Sequence, residues 1–132
     1  MRIHMAALML LTGCTLAQAQ DANVTPLMEQ ALAAKSGHDV TMLTVEYAPG
    51  GSSKPHRHDA QVFVYVLDGA VTMQVKGGPL RTLKPGDTFN EAPNDEHIVS
   101  ANASKTQPAK FLVFMIKSAN APTTLPVEDK TK

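Results

Sequence analysis

Cysteine is almost absent from this chain: Cys14 stands alone among 132 residues. That count excludes an internal disulfide framework and any multi-cysteine zinc site. Neither sign of charge is in excess, with 12 Lys+Arg against 12 Asp+Glu. The strongly basic field that nucleic-acid binding leans on is therefore missing. No apolar run reaches the roughly 18 residues that a membrane-spanning helix needs. G-x-S-x-G, P-loop and dinucleotide fingerprints are all absent, so the chemistry must be sought elsewhere. What the chain has in quantity is turn chemistry. Nine Pro and eight Gly, in a length that suffices for one domain, point to many short strands.

Residues 1–19 read as an address rather than as structure. Arg2 precedes the apolar run Met5–Leu11, and small residues follow, which is the layout of a secretory signal. Ala17-Gln18-Ala19 fits ordinary cleavage before Gln20. Leu11-Thr12-Gly13-Cys14 instead resembles a bacterial lipobox, which would end the signal at residue 13 and lipidate Cys14. Both readings place the protein outside the cytoplasm, in the periplasm or secreted, with Cys14 as the sole membrane anchor on offer. Cleavage after Ala19 leaves a mature chain without cysteine, which suits an oxidising compartment.

Residues 20–38 form an N-terminal extension with two open readings. Thr25 before Pro26 has the look of a helix N-cap, with Leu27, Met28, Ala31 and Leu32 on one helical face. A short edge strand packed on a barrel is the rival. From residue 39 to 117 the apolar period is two. Leu43, Val45 and Tyr47 share one face of Val40–Tyr47. Val62–Leu67 is almost wholly apolar, which predicts burial of both its faces. Val71, Met73 and Val75 alternate ahead of the hairpin signal Gly77-Gly78-Pro79. Leu80–Leu83, Thr88–Glu91, His97–Ser100 and Phe111–Ile116 complete the series. Residues 118–132 read as a tail, extended on the surface or disordered. Seven or so strands without a good long helix predict an all-β barrel or sandwich.

Of five histidines, His4 falls in the signal and His38 in a polar turn, both without an evident role. His56-Arg57-His58 is different, because residues i and i+2 of a strand project to the same face. Two imidazoles there converge on one point, and His97 opens a later strand. Neutral imidazoles suit iron, manganese, nickel, copper or zinc.

These residues resemble the two motifs of the cupin family, G-x5-H-x-H-x3,4-E-x6-G and G-x5-P-x-G-x2-H-x3-N. Gly50, His56, His58 and Gly69 match the first, and Gly86 and His97 the second. The departures are specific. Val62 occupies the glutamate slot, Pro93 is displaced by one with Ala92 in its place, Asn94 stands at the inner glycine, and Asn102 is one residue late. The resemblance implies an antiparallel double-stranded β-helix, or jelly-roll barrel, with one divalent transition metal inside and often a homodimer. With Val62 unable to bind a metal, His56, His58 and His97 are the economical ligand set.

Glu91 shares strand parity with Phe89, so if Phe89 faces the core, Glu91 does too. A carboxylate there is costly unless paired or bound to a cation. It then acts as a fourth ligand or as an acid/base; the rival is a rim glutamate pairing with Arg57 or Lys54. Gln61 could coordinate, but alternation points it away from Val62. Val62, Val64, Val66 and Phe89 are expected to line an apolar pocket. Phe63, Tyr65 and the scattered methionines read as packing.

Three classes of function share these residues. Three neutral ligands on one face of an octahedral ion leave positions for an anionic or enolic substrate and for dioxygen. This is a dioxygenase-like oxidoreductase of the quercetinase kind, by analogy of fold. Zinc with three histidines and water would give a hydrolase. A barrel that binds metal or a small ligand without turnover is the third.

Overall fold

The computed structural model describes residues 22–32 and 36–127. The signal, the lipobox and Cys14 lie outside them. Ten strands and no helix make up the described residues: β1 (Asn23–Ala31), β2 (His38–Tyr47), β3 (His56–Arg57), β4 (Ala60–Asp68), β5 (Val71–Val75), β6 (Arg81–Leu83), β7 (Thr88–Glu91), β8 (His97–Asn102), β9 (Ala109–Ser118) and β10 (Leu125–Pro126). They form two five-stranded antiparallel sheets, ordered β1-β2-β9-β4-β7 and β10-β3-β8-β5-β6. The two sheets of a jelly roll face each other, and their inward alternate residues make the core.

The inward faces carry the apolar alternation of the sequence. Leu43, Val45 and Tyr47 from β2 meet Val62, Val64 and Val66 from β4, and Phe111, Val113 and Met115 from β9. Val66, Val71 and Met73 retain no exposure, and each such side chain contributes about 1.5–3 kcal/mol through the surface it removes from water.

Val62–Leu67 does not bury both faces. Phe63, Tyr65 and Leu67 are 44%, 46% and 43% exposed. Their strand lies inside a sheet, but the sheet has a partner layer on one side only. An unbroken apolar run looks the same in sequence whether or not its second face is covered. Phe63 instead packs on the neighbouring Phe114, at 6.1 Å between ring centroids.

The ambiguous extension is a strand. β1 pairs antiparallel with β2 from Asn23↔Glu46 to Ala31↔Asp39, with an irregularity between Pro26 and Met28. Proline has no N–H to give a ladder, so an edge strand with a bulge is where it is tolerated. All nine residues of β1 are exposed, so the pairing with β2, not a buried helical face, sets its conformation. Near its end, the buried Lys117 holds Glu29 of β1 and Asp39 of β2, each at 3.3 Å.

Two turns carry backbone demands that the sequence meets. Gly69 has φ +68°, and a Cβ there would stand 2.3 Å from the Pro108 carbonyl oxygen; only glycine fits the chain reversal after β4. Asn94 takes φ +65° in the slot where the motif has glycine, and asparagine tolerates that region well. Asn102 spans the loop that follows β8: its side-chain amide donates to the carbonyls of Ala48 and Gln107 at 3.0 and 2.7 Å, and its Oδ1 accepts the Ser104 N–H.

Candidate metal centre

Four side chains from three adjoining segments converge at one end of the barrel interior. His56 on β3 is the register partner of His97 on β8, and His58 follows β3 directly. Their rings lie close, with centroids 4.9 Å apart for His56–His58 and 5.0 Å for His56–His97. Glu91 closes β7 and is 2% exposed. Its Oε1 lies 3.2 Å from His97 Nδ1, and its Oε2 lies 3.8 Å from His58 Nε2.

The turn between Glu91 and His97 is clipped into place. The Ala92 N–H donates to Asp95 Oδ2 at 2.8 Å, and the Asn94 N–H donates to the His58 carbonyl at 2.7 Å. Arg57 reaches Asn94 Oδ1 at 2.6 Å. Arg57 is thereby committed to the turn, and the rim pairing with Glu91 is not formed. Glu91 is instead the cross-strand partner of Val62. A carboxylate thus stands directly opposite Val62, one strand over.

The imidazoles are oriented by what their Nδ1 atoms face. His56 Nδ1 faces the Lys54 carbonyl at 2.7 Å, and His58 Nδ1 contacts the Thr123 carbonyl. A carbonyl can only accept, so both Nδ1 atoms carry a proton. His97 is stacked on Phe89, at 5.7 Å between centroids and 24° between planes. Its Nδ1 makes a close electrostatic contact with Glu91 Oε1 without hydrogen-bond alignment.

Buried polar atoms without a partner are costly. Glu91 Oε2, His97 Nδ1 and His97 Nε2 are three such atoms, all in this cluster. A divalent cation would satisfy them. The 3.8 Å between His58 Nε2 and Glu91 Oε2 is too long for a hydrogen bond, and it is shorter than two ligand bonds of about 2.0–2.2 Å laid end to end. Among the described residues no group of three or more His, Cys, Asp or Glu side chains stands in ready metal-holding geometry. Three imidazoles and one carboxylate nevertheless fit a divalent transition metal in chemistry.

Electrostatics act on two members of the set, His56 and Glu91. Burial pushes His56 below its ordinary value of 6.5, and the neighbouring His58 and His97 add to this against the pull of the Lys54 carbonyl and Glu91. Burial opposes the charge on Glu91, but the His97, His58 and His56 imidazoles outweigh it and hold the carboxyl below 4.5. Both folded pKa values thus lie under the unfolded ones. Below pH 6.5 the unfolded chain takes a proton that folded His56 refuses, so stability falls from there toward the folded pKa. The stabilisation from ionised Glu91 is present above pH 4.5 and is lost as pH falls through its folded pKa. Urea midpoints of the metal-free protein should therefore drop between about pH 7 and 5; a flat profile would mean that His56 is not held neutral.

The cluster opens onto a cavity of about 580 Å³, within the range of small-molecule sites. Val62 and Val64 stand on its wall; Gln61, Val66 and Phe89 do not. Gln61 lies on the outer side of β4 and donates to the Glu91 carbonyl at 2.8 Å, bracing β7. Val66 is deeper in the core than the cavity reaches. Phe89 supports His97 and has the Arg81 guanidinium 5.9 Å from its ring centroid. The wall has members that the sequence reading passed over: Tyr47, Ser53, Ser100 and Thr123. Tyr47 could have been found, because a tyrosine in step with Leu43 and Val45 on an inward face needs a partner for its hydroxyl.

Comparison with known proteins agrees with this architecture. The cupin domain model matches residues 43–115, more than half of the chain, and the chain belongs to the cupin family. Among solved structures, oxalate oxidase in complex with the substrate analogue glycolate is 28% identical with a TM-score of 0.62, over 80% of this chain and 55% of that one. The DMSP lyase of Ruegeria pomeroyi is 19% identical with a TM-score of 0.60, over 70% of this chain and 45% of that one. A cupin domain from Bordetella pertussis is 22% identical with a TM-score of 0.60, over 76% of this chain and 97% of that one. The chain thus spans about half the length of the two named enzymes. Comparison with curated proteins finds no match.

Proposed function

We propose that this protein is an exported cupin enzyme that holds one divalent transition metal through His56, His58 and His97. Glu91 serves as a fourth donor or as the acid/base, and the reaction is a dioxygenase-like oxidation of a small anionic or enolic substrate. The observation that carries this reading is the trio of buried, unpartnered atoms on Glu91 and His97 at the end of an apolar cavity. A bound metal would supply positive charge and redox capacity there. The chain's own part is to hold and to exclude. The Lys54 and Thr123 carbonyls fix two imidazoles in one tautomer, and Val62 and Val64 set apolar wall beside the charged cluster. Ionised Glu91 is placed to take a proton from a substrate held beside His97. The likeness to oxalate oxidase supports redox chemistry on a small acid.

Export rests on the N-terminal pattern, with the periplasm or the exterior as destination and Cys14 as the alternative lipid anchor. The exposed strip Phe63, Tyr65 and Leu67 is the surface that a homodimer would cover.

Elemental analysis of the mature protein, purified without chelators or a metal-binding tag, tests the reading. Near-stoichiometric iron, manganese, copper or nickel is expected, with oxygen uptake on phenolic or enolic acids. Stoichiometric zinc would transfer the site to hydrolysis, and a folded protein without metal would remove the catalytic reading. Glu91→Gln should lower the rate about 10²-fold, within the range of a general base, and shift its pH profile. An unchanged rate and profile would return Glu91 to a purely structural place.

A further inference from the structure

Three hydroxyls meet inside the barrel next to the histidine cluster. Tyr47, 1% exposed, brings its Oη to 2.7 Å from Ser53 Oγ and 2.8 Å from Ser100 Oγ. The three come from β2, from the segment before β3, and from β8, and all line the cavity. The placement is three residues along the paired segments from His56 and His97. The Ser53 N–H donates to the Ser100 carbonyl at 2.9 Å, just beyond the paired His56 and His97. Ser100 is the next buried side chain of β8 after His97.

Proton counting shows what this cluster lacks. Each hydroxyl carries one donor proton, which makes three, while the cluster contains two contacts. Whichever way the hydroxyls rotate, one proton is left over. Among the described residues none of the three has a further acceptor. Burial, opposed by the bonds to Ser100 and Ser53 and reinforced by the Glu91 charge, pushes the Tyr47 hydroxyl up from 10, so the phenol keeps its proton. Tyr47 and Ser100 are buried and Ser53 is half-buried; a buried donor without an acceptor is costly, and Leu43, Val45, Met73 and Phe111 on the adjoining walls offer none.

We infer that Tyr47, Ser53 and Ser100 form a donor subsite for a carbonyl or carboxyl oxygen of a small molecule whose body is otherwise apolar. This deepens the proposed function, since it rests on the cavity being the substrate site. The ligand lies with one oxygen on the hydroxyl cluster and its apolar body against Val64 and Phe111, which leaves its reacting part beside His97 and Glu91. The subsite selects by the penalty of its own unpaired proton. An isostere without the oxygen leaves that proton without its acceptor.

The test is a matched pair, acetophenone and α-methylstyrene, which differ in a carbonyl oxygen against a methylene. Affinities are measured by ligand-observed NMR on the full chain, with and without added cobalt(II). Wild type should prefer acetophenone at least tenfold, the mark of a hydrogen-bonding pocket. The triple variant Tyr47→Phe, Ser53→Ala, Ser100→Ala should bring the two within about threefold while α-methylstyrene binds as before, which shows that the cavity is intact. The double variant Ser53→Ala, Ser100→Ala should keep the preference, because the Tyr47 proton is then free. Equal binding of the pair by wild type, or a preserved preference in the triple variant, would overturn the subsite, whether or not the triple variant is stable. Cobalt titration of the same proteins separates the two readings. Preference without cobalt binding would remove the metal and leave the subsite standing, and cobalt binding without preference would do the reverse.

Discussion

Replacing any one of His56, His58 and His97 with Ala should weaken divalent-metal binding by more than about 100-fold, because even outer hydrogen-bond partners of metal ligands are worth 10–100-fold. Isothermal titration with cobalt(II) and elemental analysis of the purified variants are the measurements. His97→Ala is the most informative of the three. His97 is 3% exposed and both its ring nitrogens lack partners. Its removal also takes away the largest favourable influence on the Glu91 charge, leaving a buried carboxylate with weaker support. His97→Ala should therefore lose metal and also raise the Glu91 pKa, whereas His56→Ala should lose metal with a smaller effect on Glu91, since His56 is the weakest of its three imidazole influences. Full metal occupancy in any of the three variants would sink the assignment.

The barrel was legible in the sequence because its inward positions alternate. Leu43, Val45 and Tyr47 on β2 and Val71 and Met73 on β5 stand at the spacing that one-sided burial demands, and both sets are buried. The same parity argument places Phe89 and Glu91 together, and they are buried together. Parity is silent about what lies beyond the strand. It cannot tell whether the second face of Val62–Leu67 has a covering layer, which is why Phe63, Tyr65 and Leu67 prove exposed. Nor can it decide between helix and strand for β1, where pairing with β2 and not burial sets the conformation. The hydroxyl cluster was hidden for another reason. Ser53 belongs to a Gly- and Ser-rich break that reads as a turn, and its proximity to Tyr47 and Ser100 exists only once the two sheets close. Phe89 and Val66 carry the right residue types for a cavity wall, but sequence patterning does not resolve which layer of a core borders empty space.

Deleting residues 122–132 should lower divalent-metal affinity by about 10–100-fold, although the deleted segment holds none of the proposed ligands. The reason lies in the path of the chain after β9. Asn120 N–H is held by Asp39 Oδ2 at 3.2 Å, and the Ala119 N–H donates to the Gly37 carbonyl at 2.9 Å. The segment then crosses to the metal centre, where the Thr123 carbonyl receives His58 Nδ1. Two residues on, β10 pairs with β3 through Leu125↔Arg57 and Pro126↔His56. One short segment thus fixes the tautomer of His58, flanks His56 and walls the cavity with Thr123, Thr124 and Leu125. Its acceptor is a backbone carbonyl, so no single side-chain replacement reproduces the loss and truncation is the direct probe. The barrel should survive, because the core from Leu43 to Met115 lies wholly outside the deleted residues. A folded truncation with lowered cobalt(II) affinity and weaker retention of acetophenone is the expected result. Unchanged affinity would mean that His58 holds its orientation without Thr123, and that the edge and tilted ring contacts around His56 suffice to align the site.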